Sequence, residues 1–124
     1  MDIVVDASAL AALLFGEPAG ALLGRRLQGH ALHAPRLIGY ELAKVAAQKL
    51  RHQPHRGAAI LEMLEAFSRL EIAHADPDMF EVLALAVATD LTPADASYLW
   101  LSRRLGAPLV TLDAQLARIA ARDS

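Results

Sequence analysis
The sequence contains no cysteine, so neither a disulfide framework nor a thiolate metal site is available, and a reducing cytoplasm is permitted. Long apolar runs are missing too. The greasiest stretches, Leu10–Phe15 and Val82–Ala88, fall far short of the roughly 20 apolar residues that span a bilayer. The opening Met1-Asp2-Ile3-Val4-Val5-Asp6 has no basic flank and only a short apolar stretch, unlike a secretory signal. A cytoplasmic chain without membrane contact is the expectation. Glycine-rich phosphate loops, G-x-S-x-G elbows and Walker motifs are absent. Twelve Lys and Arg against 14 Asp and Glu leave a net charge of −2, so the global field exerts no pull on nucleic acid and any such binding must come from local clusters. The histidines make no metal set either: His52 and His55 straddle Pro54, which spoils helical spacing, and no third ligand is apparent.

What is present is apolar and helical in character. The hydrophobic share is 55% and the mean hydropathy +0.31, much of it from alanine and leucine, which favour helices. An excess of this size also suggests that a partner covers some hydrophobic surface. A length of 124 residues fits one domain, 1–124, with a core that needs no staples.

Ile3-Val4-Val5 is a β-branched run of the kind found in strands buried on both faces. Further strands are expected at His30–His33, before Pro35, at Glu71–Ala73 and at Leu109–Leu112. Helices are predicted over Ala9–Phe15, Ala19–Leu27, Leu37–His52, Ala58–Leu70 and Ala94–Leu105. Pro77 suits the first turn of another that runs to about Thr89, and Asp113 opens a last one. Short strands alternating with longer helices indicate an α/β fold with a mainly parallel sheet.

Four acids, Asp6, Glu41, Asp95 and Asp113, stand where an apolar segment hands over to a helix or enters one. Each has a structural explanation. Asp6 and Asp113 fit helix N-caps, as does Ser8. Thr92-Pro93-Ala94-Asp95 fits a capping box with proline at the first helical position. Glu41 stands three residues before Lys44, at ion-pair spacing, yet it borders the apolar stripe of Ile38, Leu42 and Val45. Jointly they say more. Open parallel sheets bind ligands beyond the carboxyl ends of their strands, where Asp6 and Asp113 lie and where Asp95 opens a helix. Carboxylates gathered there repel unless a cation neutralises them. Mg²⁺ suits such a site, because it takes oxygen ligands, keeps several waters and accepts a substrate phosphate.

The run Asp6-Ala7-Ser8-Ala9-Leu10, the lone Glu41, Asp95-Ala96-x-Tyr98 and Val110-Thr111-Leu112-Asp113 together resemble the PIN-domain nucleases, and within them the VapC ribonuclease toxins of toxin–antitoxin pairs. The resemblance covers almost the whole chain, with the motifs in the family's order. It implies a three-layer α/β/α fold and cleavage of RNA that depends on Mg²⁺, with Mn²⁺ as a substitute. It implies Asp6, Glu41, Asp95 and Asp113 as catalytic, metal-binding carboxylates, with Ser8 or Thr111 assisting. It further implies a cognate antitoxin and a homodimer. One departure is the end at Ser124, soon after the last helix, where many relatives add another edge strand.

Basic residues gather at Arg25-Arg26, from Lys44 to Arg56, and at Arg103-Arg104, either to grip RNA phosphates or as solvated helical faces. Tyr98 and Trp100 are spaced for stacking on bases or, among Leu99, Leu101 and Leu105, for the core. The apolar residues of Ala58–Leu70 suit a dimer or antitoxin surface, or burial within the chain. Two alternatives to the nuclease are a non-catalytic PIN-like binding module and a phospho-acceptor receiver. The second is disfavoured because Lys44 and Lys49, the only lysines, both lie in a predicted helix.

Overall fold
Val4 and Val5 are fully buried at the middle of a parallel sheet in the computed structural model, which describes residues 1–123; the expected boundary at Ser124 lies outside them. Strand β1 is Asp2–Val5, flanked by β2 (Ala31–Pro35) and β4 (Leu109–Val110), and β3 (Ile72–Ala75) lies beyond β2. The order is β3-β2-β1-β4, with every pairing parallel. Helices α1 (Ala7–Leu14), α2 (Gly20–Leu27), α3 (Ile38–His52) and α4 (Gly57–Ser68) pack among themselves, and a one-turn 3₁₀ helix, Pro54–Arg56, joins the last two. Helices α5 (Met79–Thr89), α6 (Pro93–Leu105) and α7 (Ala114–Ala121) form the other group, with α6 lying across β1 and β2. The expected three-layer α/β/α architecture with a short parallel sheet is what the structure has.

The strand limits differ from expectation for identifiable reasons. β2 runs through Pro35 instead of stopping before it. Residues 31 and 33 turn their amides toward β1, and Pro35 falls on the same side. The ladder with β1 has ended at the pair Val4–His33, so the missing N–H costs nothing there. Pro35 pairs only with Ala75 of β3, and Arg36 N–H then donates to the Ala75 carbonyl at 2.9 Å. β3 is accordingly Ile72–Ala75, not Glu71–Ala73. β4 keeps two residues, because Thr111 and Leu112 make contacts at the end of the sheet instead of continuing the ladder. α5 starts at Met79, after Pro77. Asp78 is its N-cap, accepting the Glu81 N–H at 2.9 Å, and a side-chain cap outweighs the preference of proline for a first turn.

Helix ends follow local chemistry elsewhere. Gly106 closes α6 at φ 62°, a left-handed conformation that glycine adopts without strain. Gly20 is required by proximity: a Cβ there would lie 2.5 Å from the Ala12 carbonyl oxygen, so α2 can approach α1 only without a side chain. The core is built from Leu10, Ile38, Leu42, Ile60, Leu99 and Leu116 around the sheet valines.

Candidate active site
β1 and β4 lie side by side and end together, so the residues that follow them meet. The Asp6 N–H still donates to the Val110 carbonyl at 3.2 Å before the chain turns into α1. Asp6 caps that helix: its Oδ1 accepts the Ala9 N–H at 3.0 Å. The carboxylate does more than cap. Ser8 Oγ donates to Oδ1 at 2.7 Å and Thr111 Oγ1 donates to Oδ2 at 2.5 Å. Each hydroxyl in turn accepts a backbone amide from the segment between β4 and α7: Leu112 N–H to Ser8 at 2.9 Å and Asp113 N–H to Thr111 at 3.0 Å. Asp6, only 4% exposed, is therefore fixed at both oxygens. Burial raises its pKa above the ordinary aspartate range. Its three donors oppose that rise, and the charge of Asp113 adds to it.

Asp113 is exposed and caps α7 by accepting the Leu116 N–H at 2.8 Å. Thr92 caps α6, its hydroxyl accepting the Asp95 N–H at 3.1 Å, and Pro93 takes the first helical position as expected. Burial raises the pKa of Asp95; the charges of Asp113 and Asp6 push it the same way, and Thr92 opposes them.

Glu41 makes no ion pair with Lys44 in the structure. Tyr98, 1% exposed in the middle of α6, donates its hydroxyl to Glu41 Oε1 at 2.5 Å. Burial raises the pKa of Glu41 against that bond; Asp95 and Asp6 add to the rise, and Lys44 pulls the other way. Tyr98 itself is pushed well above the usual phenol range, first by burial and then by Glu41. The core reading of Tyr98 holds for its ring; its hydroxyl belongs to the acidic cluster.

The fold thus gathers all four acids into one electrostatic neighbourhood at the carboxyl end of the sheet, with Asp6 at its centre. Among the described residues no three Asp, Glu, His or Cys side chains close around a single point. Like charges hold one another apart, and a cation that uses one or two carboxylates plus waters requires no tighter cage. The donors are all oxygen and mutually repelling, which fits a hard dication and excludes a site made for a soft metal.

The histidines lie elsewhere. His33 bonds to Asp2 at 2.9 Å and His74 meets the Phe67 ring edge-on. Four of the twelve Lys and Arg residues are already engaged with acids or rings: Lys49 with Glu17 and the Phe15 ring, Arg36 with Asp76, Arg103 with Asp123, and Arg104 over the Trp100 ring at 5.5 Å. Lys44 is the cation whose charge reaches Glu41.

The sequence model of the PIN domain matches residues 3–122. This chain belongs to the PIN-domain family. Within that family it is similar to VapC proteins: 34% identical over 119 residues to Ribonuclease VapC12 of Mycobacterium tuberculosis, covering 94% of this chain and 90% of that protein. The identity is also 34%, over 122 residues, to Ribonuclease VapC3 of Pyrobaculum aerophilum, covering 94% and 93%. The crystal structure of PAE2754 from Pyrobaculum aerophilum superimposes with a TM-score of 0.77 at 27% identity, over 99% of this chain and 95% of that one. Membership of the PIN family sets aside the receiver-like alternative.

Proposed function
We propose that this PIN domain is an endoribonuclease dependent on Mg²⁺ or Mn²⁺, in which Asp6, Glu41, Asp95 and Asp113 hold the ion, directly or through its waters, and orient the attacking water. The observation that carries this reading is a buried Asp6, held at both oxygens, in the field of the other acids. The ribonuclease names of the VapC relatives support RNA as substrate. When bound, the ion neutralises the cluster and the phosphate and lowers the pKa of coordinated water. The protein's own residues do the rest. Ser8 and Thr111 fix the direction of the Asp6 charge. A carboxylate of the cluster accepts the proton of the water that attacks phosphorus in line, and the departing 3′ oxygen takes up a proton to leave as hydroxyl. Lys44, beside Glu41, receives a flanking phosphate. The products carry 5′-phosphate and 3′-hydroxyl ends. Incubation of the purified protein with RNA should give cleavage with Mg²⁺ or Mn²⁺ and none in excess chelator. Equal cleavage in chelator overturns the metal-dependent reading.

The proposal extends to a toxin neutralised by a cognate antitoxin and acting in the cytoplasm. No helix among the described residues is long and apolar enough to cross a membrane. It extends also to a homodimer. The α4 surface is a weaker candidate than its sequence suggests, since Ile60 is buried and Leu64 and Phe67 pack on the core, leaving Leu61 exposed. α5 instead presents Phe80, Leu83 and Val87 at helical spacing beside Met79, with Phe80 72% and Val87 77% exposed. Such a stripe suits a self-complementary two-fold contact. Light scattering should find a dimer for the parent chain and a folded monomer for Phe80→Asp combined with Val87→Asp. A monomeric parent removes the dimer from the proposal.

A further inference from the structure
We propose that Tyr98 is a positioning residue, which holds the Glu41 carboxylate in the orientation that receives the divalent ion. This rests on the reading of Glu41 as a metal-holding group. The two residues come from different helical groups: Glu41 from the first turn of α3 and Tyr98 from the middle of α6. Among the described residues the Glu41 side chain has no other hydrogen-bond partner and no ion pair, so the 2.5 Å bond from Tyr98 is its one polar tether there. Glu41 is half-buried on a side chain with three rotatable bonds, so without that tether it would swing between the pocket and water. The Tyr98 ring is locked by the core, at 1% exposure, so its hydroxyl is a fixed donor. It leaves Oε2 of Glu41 unengaged, in a carboxylate that the charges of Asp95 and Asp6 reach. Asp6 is held in the same manner by Ser8 and Thr111. Each of these two carboxylates thus has a hydroxyl behind it, and partners of this kind orient metal ligands.

The test uses the full chain and Tyr98→Phe, which keeps the buried ring and deletes only the donor. Calorimetric titration with Mn²⁺ should give a Kd raised about 10-fold in the variant, the lower end of the range for loss of a ligand's hydrogen-bond partner. The melting temperature of the metal-free protein should stay within a few degrees of the parent. Cleavage at limiting Mn²⁺ should fall and recover at high Mn²⁺, with KM for RNA unchanged. Equal Mn²⁺ affinity in the two proteins overturns the role of Tyr98. A parent that binds no Mn²⁺ instead overturns the metal-site reading beneath it. Should Tyr98→Phe fold poorly, the contact can be read without changing Tyr98. In protein labelled with 3-fluorotyrosine and carrying Tyr40→Phe, the remaining tyrosine resonance should shift on saturation with diamagnetic Mg²⁺, and an unmoved resonance overturns the inference.

Discussion

Asp6→Asn should cut metal-dependent cleavage of RNA by at least about 100-fold while raising the melting temperature of the metal-free protein. The two effects have one cause. Asp6 is buried among acids that push its pKa upward, burial first and the charge of Asp113 after it, so without a cation its ionised form is a burden on the fold. Asparagine removes the charge and keeps the shape. It is as good an N-cap as aspartate, so the Ala9 amide retains its acceptor, and the Ser8 and Thr111 hydroxyls can rotate to match an amide. What is lost is one anionic oxygen at the centre of the cluster. Activity should fall by at least about 100-fold, since losing even a supporting partner of a metal ligand typically costs 10–100-fold. Asp6→Ala loses the charge and also the cap, which is worth about 1 kcal/mol, so it should melt below Asp6→Asn. Cleavage assays and thermal melts in chelator read both variants. A parent-like rate for Asp6→Asn sinks the catalytic assignment. A lowered melting temperature for Asp6→Asn sinks the claim that the charge is unfavourable without metal.

Much of this site was visible in the sequence because its backbone is organised by short-range rules. Asp6, Thr92 and Asp113 announce helix starts by the capping preference of their side chains, and all three do cap. Once those starts are placed on an alternating strand and helix pattern, parallel topology brings β1 and β4 together and their following acids with them. The structural and the functional readings of Asp6 turn out to be compatible. One oxygen caps the helix, and both are held by hydroxyls for the pocket. What stayed hidden was tertiary. Nothing local to Tyr98 says that its hydroxyl reaches a carboxylate 57 residues away, so the pattern around it offered only the core or stacking on bases. For Glu41 two placements were open, at the surface or beside the apolar stripe of Ile38, Leu42 and Val45. Its spacing to Lys44 suggested a surface pair, whereas the fold turns it inward to Tyr98. Strand limits at Pro35 and Val110 were unreadable for a related reason, since each depends on where the neighbouring ladder stops.

In chelator, the metal-free protein should become less stable as pH rises from about 4, near the ordinary values of its acids, toward 8, and Mn²⁺ should reverse that loss at pH 8. The sign comes from Asp6, Glu41 and Asp95, all raised above their ordinary values of 3.8, 4.5 and 3.8. Between each ordinary value and its raised folded counterpart, the native state binds more protons than the unfolded chain, so stability falls with increasing pH through that window. Asp76 acts in the opposite sense, its pKa lowered by Arg36, but that pair is exposed and screened and its effect lies below pH 4. Mn²⁺ binds the gathered acids of the native state and stabilises by linkage, about 2.7 kcal/mol at a free concentration 100 times its Kd. At about pH 4 protons compete for the same oxygens, so the same Mn²⁺ concentration should raise the melting temperature less than at pH 8. Neutralising one acid should flatten both dependences: Asp95→Asn should weaken the fall with pH and the response to Mn²⁺ together. Melts at about pH 4 and pH 8, with chelator and with Mn²⁺, contain the whole test. A metal-free melting temperature that climbs between those values, or an Mn²⁺ response that is equal at both, means that these acids do not share a cation.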